Sequence, residues 1–235
     1  MLYNLVLEDN SFYLSSTLVQ CKLLLTDPIW GAETQNKGNE YEYEDGPHMR
    51  DHVVKTLSAY AGRCVTNAAV IACDDRWLPY WHIGLRANGF NNTKTVVCEQ
   101  RLGRPSKTEW PIKHYYYVIG ERDPLEFDYS QLPQEDRRAS LGSGEKMTMA
   151  GVFRATFTNN DSRRVPGFAG QKDPFPVEAL IRAYTKPGDL VVDPFMGTGT
   201  TGIEAVRLGR RFLGFEKNSN TFAVAKERIE NVHKQ

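Results

Sequence analysis

Three short stretches of the 235-residue chain bring together residue types at spacings that suit chemistry. The longest is Leu190-Val191-Val192-Asp193-Pro194-Phe195-Met196-Gly197-Thr198-Gly199-Thr200-Thr201, in which an apolar run meets an acid, then a Gly-x-Gly turn, then a helix-forming segment. Glycine lets a backbone come close to a ligand where a Cβ would clash. The first turn of a helix presents unpaired N–H groups and the positive end of its dipole. Such a turn suits a carboxylate or a phosphate. Gly197, Gly199 and Gly202 also match the bare Gly-x-Gly-x-x-Gly spacing of dinucleotide binders. The Asp-Pro-Phe ahead of the glycines and the Thr200-Thr201 pair behind them argue against a nicotinamide dinucleotide. The second stretch, Arg211–Glu216, ends in an acid about 20 residues beyond the turn, where nucleoside-binding folds set a carboxylate against a ribose. The third, Leu25-Thr26-Asp27-Pro28-Ile29-Trp30, joins a carboxylate, a carbonyl and an aromatic plane. Asp27 and the Pro28 carbonyl can each accept one N–H of an exocyclic amine, and Trp30 can stack on a heterocycle.

Each stretch closes a short apolar run, which is how buried parallel strands read. Strands are expected at Met1–Leu7, Leu18–Thr26, Val65–Ala72, Thr93–Cys98, His114–Ile119, Leu190–Val192 and Arg211–Phe215. Helical spacing covers Met49–Ala61, Pro79–Asn88, Val177–Tyr184, Gly199–Leu208 and Phe222–Asn231. Strands alternating with helices predict an α/β fold around a mainly parallel sheet. Gly31–Pro47 is acidic and aperiodic, a loop or lid. Residues 123–170 carry Arg137, Arg138, Lys146, Arg154, Arg163 and Arg164 without a clear period and read as a small insert. Tyr115–Tyr117 read as strand packing. The division expected is 1–122, 123–170 and 171–235.

Composition narrows the class. Lys+Arg and Asp+Glu number 29 each, so net charge is zero, which argues against a binder held to nucleic acid by bulk charge alone. With 40% hydrophobic and 25% charged residues the chain is globular. No run approaches the roughly 20 apolar residues of a membrane helix, and Met1-Leu2-Tyr3-Asn4 lacks a secretory pattern, so no membrane association and a cytoplasmic location are expected. The four cysteines have no paired spacing and the five histidines no ligand spacing, so no metal is expected.

Taken together, Asp27-Pro28-Ile29-Trp30 early and Asp193–Thr201 late resemble the amino-directed DNA methyltransferases, in the order of their permuted beta group. The resemblance runs from about Leu5 to Ile229 and thins between Asp123 and Gly170. Lys172-Asp173-Pro174-Phe175 resembles the segment ahead of the family's cofactor strand, and Asp9 sits where the family often has an acid near the cofactor adenine. In two places the chain departs from the pattern: Ile29 replaces a second proline, and Asp173 splits what is commonly a Lys-Pro pair.

The resemblance implies a Rossmann-like fold with helices on both faces of a twisted sheet, and S-adenosylmethionine as cofactor. Asp9, Lys172, Asp193, Pro194, Phe195, Gly197, Thr198, Gly199, Thr200, Thr201 and Glu216 would hold that cofactor. Asp27, Pro28, Ile29 and Trp30 would form the catalytic set, acting on a base flipped out of duplex DNA. Arg137, Arg138, Lys146, Arg154, Arg163 and Arg164 would contact DNA as a target-recognition region. An acid at position 27 favours adenine N6 over cytosine N4 as acceptor. Both acceptors remain open, as does a non-catalytic subunit of a methyltransferase complex. The resemblance is compatible with a homodimer and with a restriction endonuclease partner in a prokaryotic or phage-infected cell.

Overall fold

Lys22-Leu23-Leu24-Leu25 is apolar on both sides of its pleat, and only a strand covered on both faces buries such a run. In the computed structural model, which describes residues 2–7, 19–28, 49–104, 112–131, 151–154, 157, 161–168 and 170–233, that strand lies in the middle of the sheet. Leu23, Leu24 and Leu25 are each at most 1% exposed. The strands are β1 (Tyr3–Leu7), β2 (Cys21–Thr26), β3 (Val65–Cys73), β4 (Asn92–Arg104), β5 (Ile112–Glu121), β6 (Val152–Phe153), β7 (Leu190–Asp193) and β8 (Arg211–Glu216). The helices are α1 (Met49–Cys64), α2 (Leu78–Ala87), α3 (Pro174–Tyr184), α4 (Thr200–Arg207) and α5 (Ser219–His233).

The strands form one sheet in the order β1-β8-β7-β2-β3-β5-β4-β6. All of its pairings are parallel except β3 with β5 and β5 with β4. From β2 the chain crosses through α1 to β3 on one side, and from β7 it crosses through α4 to β8 on the other. Right-handed crossovers in opposite directions put their helices on opposite faces. The core accordingly has two halves. Leu23, Val70, Tyr117 and Val191 pack with α3, α4 and α5, while Leu24, Ile71, Val118 and Val192 pack with α1 and α2. This is the α/β fold around a mainly parallel sheet that the strand–helix alternation predicts, with the helices on both faces that the family resemblance implies.

Observed elements differ from expectation mainly in length. β4 and β5 outrun Thr93–Cys98 and His114–Ile119 because cross-strand pairing, from Asn92↔Glu121 to Arg104↔Ile112, sustains them past their apolar stretch. α3 begins at Pro174 and not at Val177. Asp173 caps it, and proline suits a first helical position whose N–H has no intrahelical partner. Within the 123–170 stretch, Val152 and Phe153 pair with Val97 and Cys98, so part of the expected insert is an edge strand of the main sheet. Among the described residues no helix is long and apolar enough to cross a membrane.

Candidate active site

β2, β7 and β8 are parallel neighbours, so their carboxyl ends reach the same edge of the sheet. Strand spacing of about 4.8 Å puts Asp27, Asp193 and Glu216 at or just beyond successive strand ends. The gap between β2 and β7 is where the crossovers diverge, the place where open α/β sheets bind ligands. Thr26 and Asp193 lie 167 residues apart in sequence, yet the Thr26 hydroxyl donates to Asp193 Oδ1 at 2.7 Å. The same oxygen accepts the Phe195 N–H at 3.0 Å, and the Thr201 side chain also bonds to the carboxyl. Asp193 is 2% exposed. Burial pushes its acid up to about 7, and the nearby Asp27 acts in the same direction. Asp193 therefore shapes the turn from beneath.

The turn itself needs glycine. Gly197 and Gly199 have φ of 51° and 83°, a region that side chains avoid. Gly199 caps α4 without any side-chain bond to the helix. Gly202 serves packing: a Cβ there would stand 2.5 Å from Ile229 Cδ1 and 2.6 Å from Phe212 Cε1. Thr198, Thr200 and Thr201 are buried. The carboxylate of Glu216 accepts N–H bonds from Asn218, at 2.8 Å, and from Gly197 and Lys217. These bonds favour the charged form, but burial outweighs them and raises its pKa above the usual value.

Asp27 follows β2 and is partly exposed, beside the buried Pro28. The Lys172 ammonium lies 2.6 Å from Asp27 Oδ2 and 5.2 Å from the centre of the Tyr115 ring. Asp173, the residue that splits the family's Lys-Pro pair, accepts the Phe175 N–H through Oδ1 and the Phe157 N–H through Oδ2, each at 3.0 Å. It thus both caps α3 and ties down Phe157 of the 123–170 stretch. Asp9, Ile29 and Trp30 lie outside the described residues, as do Arg137, Arg138 and Lys146. Of the other arginines, Arg154 is exposed. Arg163 makes a two-pronged pair with Asp161, at 2.8 and 2.7 Å, whose hydrogen bonds pull the Asp161 acid down to about 2. Arg164 lies 4.0 Å from the Phe157 ring centre.

Sequence reasoning missed Thr26 beneath Asp193, Tyr115 beneath Lys172, and Arg228. From α5, Arg228 donates to the Thr198 carbonyl in the glycine turn and to the Arg163 carbonyl. No local pattern marks these residues, because each works through a partner distant in sequence.

A family model described as DNA methylase, of the N6/N4 type, matches residues 28–227. Type II methyltransferase M2.DpnII of Streptococcus pneumoniae is 36% identical over 99 residues, 40% of this chain; the match spans 35% of that relative's own length. The structure of an M1.HpyAVI–SAM complex superposes with a TM-score of 0.69 at 20% identity, over 97% of this chain and 98% of that one. The cytosine-N4-specific PvuII DNA methyltransferase gives a TM-score of 0.69 at 15% identity, over 100% of this chain and 92% of that one. At these identities the likeness to the two structures is one of fold.

Proposed function

The chain belongs to the N6/N4 DNA methylase family, and we propose that it transfers a methyl group from S-adenosylmethionine to the N6 amine of adenine in DNA. One observation carries the reading. Asp27, which can hold an amine, stands at the same sheet edge as the Gly197–Thr201 turn and Glu216, which can hold an aminoacyl nucleoside.

The residues fit that cofactor. The Gly197–Thr201 backbone offers N–H groups to a carboxylate, and among the described residues a Cβ on Gly197 would come within 4 Å only of Phe168, at 3.7 Å. Glu216 offers acceptor oxygens to ribose hydroxyls, since a carboxylate has more lone pairs than its backbone bonds occupy. S-adenosylmethionine, when bound, supplies an electrophilic methyl group. Everything else falls to the chain. An exocyclic amine is a weak nucleophile because its lone pair is spread into the ring. By accepting its two N–H groups, Asp27 and the Pro28 carbonyl favour a pyramidal nitrogen whose lone pair points towards the methyl group. The amine sheds one proton as it gains the methyl, and the Asp27 carboxylate is its acceptor. Positioning and preorganised electrostatics supply the acceleration. Reaching the amine requires a flipped base, and stacking on Trp30, worth roughly 1–3 kcal/mol, would offset part of the unstacking cost. Arg154 and the basic residues of the 123–170 stretch supply contacts to DNA.

The test is methyl transfer from labelled cofactor to DNA by the wild type and by Asp27→Ala. The wild type should label DNA. The variant should lose at least about 100-fold in kcat while still binding cofactor. A variant that labels DNA as fast as the wild type would remove Asp27 from the chemistry.

A further inference from the structure

Lys172 has a place in the reaction that its resemblance-based assignment to the cofactor does not describe. We propose that Lys172 is a positioning residue for the methyl acceptor, its ammonium fixing the orientation and the charge of the Asp27 carboxylate. This rests on the reading of Asp27 given above.

The geometry is built in from several sides. Lys172 is 13% exposed and Asp27 28% exposed in their side chains, so the 2.6 Å pair is largely shielded from water. Tyr115, itself 2% exposed and braced edge-on by Tyr117, presents its ring to the ammonium. Both sequence neighbours of Lys172 are anchored. Gln171 closes its loop by accepting the Val165 N–H and donating to the Arg163 carbonyl. Asp173 holds Phe157 and Phe175. The lysine stem therefore leaves a fixed point of the backbone and ends on the carboxylate.

The chemistry requires a cation there. A protonated Asp27 would present an O–H to the very lone pair that must attack the methyl group, so the acid has to be ionised when the amine arrives. Asp193 interacts electrostatically with Asp27 and opposes its ionisation when itself charged, whereas burial pushes the Cys73 thiol and the Tyr117 phenol up, so these two stay neutral and supply no charge of either sign. The Lys172 ammonium, 2.6 Å from Asp27 Oδ2, favours the charged form. An opposite charge at this range typically lowers a carboxyl pKa by about 1–3 units.

The experiment uses the full chain with Lys172→Met and Lys172→Arg, and Asp27→Asn to assign the resonance. Carbon-13 NMR follows the Asp27 carboxyl through a pH titration without requiring turnover. Lys172→Met should raise its midpoint by about one unit or more, and Lys172→Arg, which keeps the charge, should stay near the wild type. Affinity for S-adenosylmethionine by calorimetry should change less than about twofold. At saturating cofactor, kcat should fall on the order of 100-fold in Lys172→Met, with its acid limb displaced to higher pH and partial recovery in Lys172→Arg. Lys172→Gln replaces Lys172→Met if the latter does not fold. An unmoved Asp27 midpoint overturns the inference. So does a loss of cofactor affinity above about tenfold with kcat intact, which would return Lys172 to the cofactor. A wild type that binds cofactor but methylates no DNA overturns the function proposed above and with it a role towards a methyl acceptor, whereas the NMR titration still decides whether Lys172 sets the charge of Asp27.

Discussion

Asp193 shows what a single buried acid does at this site. Its folded value of about 7 lies well above the 3.8 of an unperturbed aspartate, so the fold favours the protonated form. Its contribution to stability is complete below the unfolded value and is lost as pH rises through about 7. Urea unfolding from pH 4 to 8 should therefore show wild-type stability falling across that window. Asp193→Asn keeps an oxygen for Thr26 and Phe195 and should flatten the decline; equal slopes in the two proteins would contradict the account. Asp27, Asp193 and Glu216 each close an apolar run, but Asp27 and Glu216 taken singly read more readily as a strand terminator and a solvated acid; it is the glycine turn and the family resemblance that single them out. Lys172 is singled out in the sequence only by the family resemblance, as a cofactor residue, and its pairing with Asp27 is not legible, since Asp27 belongs to the opposite end of the chain. Thr26 reads as an ordinary strand residue until the pairing of β2 with β7 brings Asp193 beside it.

Elements decide how firmly those residues are held. α4 can sit close against α5 and β8 only because Gly202 has no side chain. Gly202→Ala places a methyl group 2.5 Å from Ile229 Cδ1 and should cost about 1–3 kcal/mol, visible as a lowered Tm. Gly199→Ala adds a left-handed conformation at φ 83° to a crowded contact with Ala225, so it should lower both Tm and cofactor affinity. A Gly202→Ala protein as stable as the wild type would show that α4 packs more loosely than the structure has it. The strand–helix alternation is readable from period and turn residues alone. The full length of β4 and β5 is not, because antiparallel pairing carries those strands beyond their apolar run. The pairing of Val152–Phe153 with β4 escapes for a similar reason: two residues carry no period, and the edge they join forms only in the folded sheet.

At the scale of the whole molecule, the zero net charge is not the sum of an acidic stretch and a basic one: the six Lys and Arg of 123–170 stand among seven Asp and Glu. DNA contact there depends on which side chains share a face, not on an excess of positive charge. Where the structure describes that stretch, Arg163 pairs with Asp161, Arg164 lies over the Phe157 ring, and Arg154 is exposed. The sheet order places the early and late motifs of the chain side by side at the switch point, and the proposed activity depends on that placement. The most direct test is to incubate the protein with unmethylated plasmid DNA and S-adenosylmethionine, digest the DNA to nucleosides and identify the methylated product by mass spectrometry. The account predicts N6-methyldeoxyadenosine. Methyl groups found only on cytosine N4 would contradict the adenine assignment, and no methylated nucleoside from protein that binds the cofactor would contradict the function.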